Sequence, residues 1–146
     1  MKELPLAHIG IAVADLEEAK QRLGAALGVT FEPAVEVEAQ AVRVSFAPGA
    51  KLELVQATSE QSPTIPMLPH PIRSHLERHG EGLHHISYLV PDVAAAIRRL
   101  HDAGVRTLTD EPQRGAHDTR VVFLHPEDCQ GVLIELCEGA DDGDLP

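Results

Sequence analysis

The sequence predicts an α+β fold made of two βαβββ modules, and three observations carry that prediction. The run His8-Ile9-Gly10-Ile11-Ala12-Val13-Ala14-Asp15-Leu16 returns 77 residues later as His85-Ile86-Ser87-Tyr88-Leu89-Val90-Pro91-Asp92-Val93. Lys51-Leu52-Glu53-Leu54-Val55 is echoed by Val132-Leu133-Ile134-Glu135-Leu136. Phe46 and Phe123 stand at the same offset of 77. Self-similarity at a fixed period marks a duplicated structural unit.

The elements follow in order. Residues 6–13 are short and apolar, as in a buried strand. Asp15 then caps a helix, with Glu18 three residues on in a capping-box arrangement. Leu16, Ala19, Leu23 and Leu27 fall on one face of that helix, and Gly28 ends it in a left-handed conformation. Strands are expected over 30–38, 41–47 and 50–56, with Pro48-Gly49 as the turn between the last two. The second half repeats the plan. A strand over 84–90 leads to Asp92 as cap; Val93, Ala96, Ile97 and Leu100 form the buried stripe; Gly104 ends the helix. Strands near 105–109, 119–124 and 131–137 complete the module. Between the halves, Pro63, Pro66 and Pro69 forbid regular helix, whereas 71–79 has helical spacing. The expected organisation is one domain over 1–146: a first module at 5–56, a linker with a short helix at 57–82, a second module at 83–138 and an acidic tail at 139–146.

Composition bounds the function. The chain has 146 residues, 43% of them hydrophobic, which is a globular composition. No apolar run approaches the roughly 20 residues that span a bilayer. The start, Met1-Lys2-Glu3-Leu4-Pro5, lacks the apolar stretch of a signal peptide. A soluble, cytoplasmic protein with no membrane partner is expected. A net charge of −11 argues against nucleic acid, whose phosphates require clustered Lys and Arg. Cys129 and Cys137 lack metal or redox spacing and read as free, buried or semi-buried thiols. Asp141, Asp142 and Asp144 make the tail acidic and solvated.

Strand parity selects the candidate ligands. Side chains alternate across a strand with a period of two. His8 shares a face with Gly10 and Ala12, while Ile9, Ile11 and Val13 point to the helix side. His85 shares its face with Ser87, so His85, not His84, is the equivalent of His8. Glu53 and Glu135 sit in otherwise apolar strands, where a carboxylate is costly unless paired or metal-bound. Two imidazoles and two carboxylates at repeat-related places suit one borderline divalent ion: Co, Mn, Fe, Ni or Zn. Four protein ligands leave two octahedral positions for a chelating substrate. That arrangement favours enolate chemistry, with the ion acting as a Lewis acid.

The chain resembles the vicinal oxygen chelate (glyoxalase/bleomycin resistance/dioxygenase) superfamily, and within it the methylmalonyl-CoA epimerase family. The resembling stretches are His8-Ile9-Gly10-Ile11-Ala12-Val13, Gly80-Glu81-Gly82-Leu83-His84-His85-Ile86, Asp110-Glu111-Pro112, Phe123-Leu124-His125-Pro126 and Gly131-Val132-Leu133-Ile134-Glu135-Leu136-Cys137-Glu138. The resemblance implies two modules forming a curved, incompletely closed sheet around a metal cavity. It implies metal ligands His8, Glu53, His85 and Glu135, with a divalent ion, cobalt among the candidates, as cofactor. It implies a metal-dependent isomerase that interconverts the C2 epimers of methylmalonyl-CoA by 1,1-proton transfer through an enolate. Glu135 is then a catalytic acid/base as well as a ligand. Arg43 stands where some relatives carry a second glutamate, and an arginine does not accept a proton. Arg114 and His117, in the loop 113–119 at the cavity mouth, are candidates for touching substrate. The implied partners are an acyl-CoA substrate and a second copy in a homodimer. Because the anionic substrate meets a chain of like charge, local arginines have to steer it; Arg43, Arg73, Arg78, Arg114 and Arg120 are available. The alternatives are a glyoxalase-type isomerase using the same ligand set, an extradiol-type dioxygenase, and a small-molecule-binding resistance protein without a metal.

Overall fold

A computed structural model describes residues 2–138. The predicted tail, 139–146, lies outside the described residues. The chain divides into two compact units. One is Ile9–His84; the other combines the stretch up to His8 with the chain from His85 onward. The boundary therefore falls within the first strand, after His8, and within the strand that holds His85.

The Ile9–His84 unit holds most of β1 (Leu6–Ala12), α1 (Leu16–Leu27), β2 (Val35–Val37), β3 (Val42–Ala47), β4 (Leu52–Ala57) and α2 (Pro71–His79). Its strands run in the order β2-β3-β4-β1, antiparallel except for the parallel β4–β1 pair. The other unit holds β5 (Gly82–Leu89, from His85), α3 (Val93–Asp102), β6 (Gln113–Arg114), β7 (Arg120–Phe123) and β8 (Ile134–Glu138). Its order is β5-β8-β7-β6, again antiparallel except for the parallel β5–β8 pair. Each unit is thus a βαβββ module with a mixed sheet, as the sequence predicts. Among the described residues no helix is long and apolar enough to cross a membrane.

Each helix packs its apolar stripe on its own sheet. Leu16, Val13, Phe31, Ala47 and Leu54 form one core. Val93, Ala96, Ile97 and Leu100 form another with Val90, Val122, Leu124 and Leu136. The α1 stripe is shorter than predicted, because Leu27 is 55% exposed; the chain leaves the sheet at Gly28, whose φ of 69° ends the helix. Both N-termini are capped as expected. Asp15 Oδ1 accepts from Glu18 N at 3.1 Å, and Asp92 Oδ1 from Ala95 N at 3.1 Å. A second cap, invisible in the sequence, comes from the last strand of each module. Gln56 Oε1 accepts from Leu16 N at 2.7 Å, and Glu138 Oε2 accepts from Val93 N. Helix N-termini leave donors without intrahelical partners, and here the sheet supplies the acceptor.

Three predicted strands differ. Only Val35–Val37 of 30–38 pairs with β3. Pro33 carries no N–H, and the Glu32 carbonyl is taken by Ser45 Oγ at 2.6 Å. The strand expected at 131–137 begins at Ile134, because Gln130 and Gly131 both adopt positive φ and close a turn back to the Pro126 carbonyl. The strand expected at 105–109 is reduced to one isolated bridge from Thr107 to Leu124, and the second strand of the module forms instead at Gln113–Arg114. The bridge is closed by two backbone bonds, Leu108 N to the Phe123 carbonyl and His125 N to the Arg106 carbonyl, both at 2.8 Å, and side-chain bonds hold the segment beside it. Asp128 Oδ2 accepts from Arg106 N at 2.8 Å and from Arg106 Nε at 3.0 Å. Thr107 Oγ1 donates to the Thr109 carbonyl at 2.7 Å. The short helix predicted at 71–79 is present. Its cap is His70, whose Nδ1 accepts from Ile72 N at 3.0 Å while its Nε2 lies 3.0 Å from the Gln40 carbonyl.

Two stability measurements check this account. Leu16 is 1% exposed, and Leu16→Ala should destabilise the chain by about 3 kcal/mol in denaturant unfolding. The hydrogen bonds from Arg106 hold the Asp128 carboxyl at about 2, below the usual carboxylate range. A folded value below the unfolded one stabilises above the unfolded pKa and loses that stabilisation as pH falls toward the folded one. The pair is at the surface, so the effect is small. Arg106→Ala should flatten the fall in melting temperature between pH of about 4 and about 2; an unchanged slope would refute the linkage.

Candidate metal centre

The site is assembled by strand register. On the parallel pair β5–β8, Ser87 lies opposite Glu135; on the antiparallel pair β7–β8, Phe123 lies opposite Glu135. In the other unit Gly10 lies opposite Glu53 and Phe46 lies opposite Glu53. Both modules therefore flank their glutamate with a small residue on one side and a phenylalanine on the other. The offset shared by Phe46 and Phe123 records this placement, although the offset alone did not say that each ring faces a carboxylate.

Three of the four sequence-selected ligands lie in one unit and meet. His8 Nε2 is 3.3 Å from His85 Nε2 and 3.4 Å from Glu135 Oε1. One ligand atom from each residue lies within 4.8 Å of the other two. All three are buried, at 5%, 6% and 6% exposure. The imidazoles meet edge to face, with centroids 5.4 Å apart and planes at 82°. Phe123 stands perpendicular to the His85 ring, 5.8 Å away, and limits how the ring can turn. Ser87 is fully buried and donates to Cys137 Sγ at 3.4 Å. The small Ser87 side chain leaves room beside Glu135.

The donor set fits a divalent metal. Ions of this class bind imidazole nitrogen at about 2.0–2.1 Å. Two donors at that radius are about 3.0 Å apart at an octahedral right angle and about 3.4 Å apart in a tetrahedron. The observed 3.3 and 3.4 Å separations match that range. Two imidazole nitrogens and a carboxylate oxygen suit the borderline ions from Mn to Zn.

The remaining selected residues have other surroundings. Glu53 belongs to the Ile9–His84 unit, where it is 8% exposed on β4. His84, excluded by parity, packs against His75 on α2. Arg43 is exposed and donates to Glu36 Oε1 at 2.7 Å. By register it alternates with Val42, Val44 and Phe46, the β3 residues on the Glu53 face. Arg43 therefore does not replace an acid/base group on that face, and none of those three β3 side chains carries a transferable proton. Arg114 is exposed and donates to Asp118 Oδ1 at 2.6 Å. His117 is also exposed, with φ of 55° in the left-handed region. Gly115 between them is required: a Cβ there would stand 2.7 Å from Thr119 Oγ1 and 2.9 Å from Val121 Cγ1. Cys129 and Cys137 are free thiols, the first partly buried and the second buried. Burial, aided by the Asp128 charge, pushes the Cys129 thiol up, which keeps it protonated.

Comparison with known proteins places this architecture. Residues 7–123 match the family model described as the Glyoxalase/Bleomycin resistance protein/Dioxygenase superfamily. An ethylmalonyl-CoA/methylmalonyl-CoA epimerase of Cereibacter sphaeroides is 40% identical over 135 residues, covering 90% of this chain and 95% of the relative. The mitochondrial methylmalonyl-CoA epimerase of Homo sapiens is 36% identical over 133 residues, covering 90% of this chain and 72% of the relative. A solved methylmalonyl-CoA epimerase in complex with methylmalonyl-CoA and NH4+ superposes with a TM-score of 0.82 at 35% identity, covering 95% of this chain and 96% of that one. A Streptomyces coelicolor methylmalonyl-CoA epimerase variant in complex with 2-nitronate-propionyl-CoA gives 0.81 at 36% identity, covering 94% and 96%. The duplicated module, the buried donor cluster and these likenesses agree: the chain belongs to the glyoxalase/bleomycin resistance protein/dioxygenase superfamily and, within it, to the methylmalonyl-CoA epimerase family of enzymes.

Proposed function

We propose that this enzyme interconverts the C2 epimers of methylmalonyl-CoA by 1,1-proton transfer and depends on a divalent metal for it. The observation that carries the reading is the buried His8–His85–Glu135 cluster, in a chain whose relatives are named as epimerases of this substrate. In this proposal His8, His85 and Glu135 hold the ion. Glu53 is the fourth ligand, on the ground that it is the repeat partner of Glu135 and is likewise a buried carboxylate on an apolar strand. A bound divalent ion would supply Lewis acidity, worth several kcal/mol against charge that develops on the thioester oxygen.

The chain's own groups supply the rest. Glu135 has two oxygens, so one can ligate while the other takes the C2 proton as general base. Phe123, on the same face, and the burial of Glu135 keep water away from it and strengthen local electrostatics. Epimerisation requires the proton to return to the opposite face of C2. Arg43 is not the group that returns it, since arginine stays charged. Arg114 and His117 are proposed to contact the acyl-CoA at the loop 113–119. In this proposal the ion is one of Co, Mn, Ni, Fe or Zn, as the donor set suits, and the enzyme is a cytoplasmic homodimer.

Two experiments decide the reading. Methylmalonyl-CoA in heavy water should gain deuterium at C2 only in the presence of enzyme and a divalent ion; absence of exchange with the ion present rejects the epimerase. Glu135→Ala should lower kcat by at least about 1,000-fold, the scale of losing a general base together with a ligand. It should also weaken ion binding by about 10–100-fold, measured by competition with a chromogenic chelator. Full activity in an ion-loaded Glu135→Ala variant would remove Glu135 from both roles.

A further inference from the structure

Three histidines outside the epimerase centre gather on the Ile9–His84 unit. His75 and His79 stand one turn apart on α2, with ring centroids 5.0 Å apart. His84, near the start of β5, sets its ring perpendicular to His75, also at 5.0 Å. Side chains four residues apart on a helix share one face, so α2 presents two imidazoles side by side and β5 brings the third against the first. The ligand nitrogens of the three do not all lie within 4.8 Å of one another, so an ion would draw in His79, which is exposed and can turn, against the half-buried His75 and His84.

We infer that His75, His79 and His84 form a second divalent-cation site, selective for ions that favour imidazole, such as Zn2+, Ni2+ or Cu2+. Imidazole suits these ions better than Mg2+ or Ca2+, which require oxygen donors. Burial and the neighbouring His79 charge both lower the His75 pKa, which leaves its lone pair available at neutral pH. The inference does not depend on the assignment of the epimerase centre.

Equilibrium dialysis of the full chain against Zn2+ tests it, with imidazole proton resonances followed by NMR. The resonances of His75, His79 and His84 should shift together as Zn2+ is added. His79→Gln and His75→Gln should each bind one ion fewer than the unsubstituted chain, or bind that ion on the order of tenfold or more weakly. His79 is exposed, so its variant keeps the fold, and circular dichroism should show an unchanged melt. Zn2+ stoichiometry and affinity unaffected by His79→Gln would overturn the site. His8→Ala serves as the separate control: it should remove the ion of the epimerase centre and leave the response of the three resonances intact, so the two assignments fail independently.

Discussion

The burial of Glu135 on an apolar strand is the constraint from which the rest of the site follows. Ile134 and Leu136 flank it, and it is 6% exposed. An isolated carboxylate in such surroundings is expensive. The fold meets that cost with two imidazoles whose Nε2 atoms stand near the carboxylate and each other. That solution is only half closed without a cation, since three electron-pair donors converge on one point. The same arrangement that makes the core tolerable therefore gives it a donor set that could hold a divalent ion.

Duplication explains how so few residues achieve this. In both modules the glutamate lies opposite a small residue on the parallel side and a phenylalanine on the antiparallel side. In both, the residue three positions beyond the glutamate caps the helix of its own module, through Gln56 in one and Glu138 in the other. The strand that carries the site residue is thereby tied to the helix that covers it. Because a slip of one residue would turn every side chain to the other face, these caps help to fix the register on which the donor set depends.

The chemistry of the epimerase family requires a proton to leave one face of C2 and return to the other. The register of β3 removes one source for the second group. Arg43 alternates away from the Glu53 face, and the residues on that face are Val42, Val44 and Phe46. The arginines singled out for steering an anionic substrate are partly engaged already, Arg43 with Glu36, Arg114 with Asp118 and Arg120 with Glu138.

Much of this was legible in the residues themselves. The repeat of His8 at His85 and of Glu53 at Glu135 specified two modules, and strand parity chose His85 over His84, because alternation is a local property of extended backbone. Caps at Asp15 and Asp92 and the stripe Val93, Ala96, Ile97 and Leu100 were equally local. Tertiary structure decided what depends on partners far along the chain. It reduced the strand expected at 105–109 to one bridge, with Asp128 bonding the Arg106 backbone and side chain from 22 residues away, and placed a strand at Gln113–Arg114. It set Phe123 beside His85, exposed Leu27, and gathered His75, His79 and His84. Periodicity reports which way a side chain points; only the folded chain decides what it meets there.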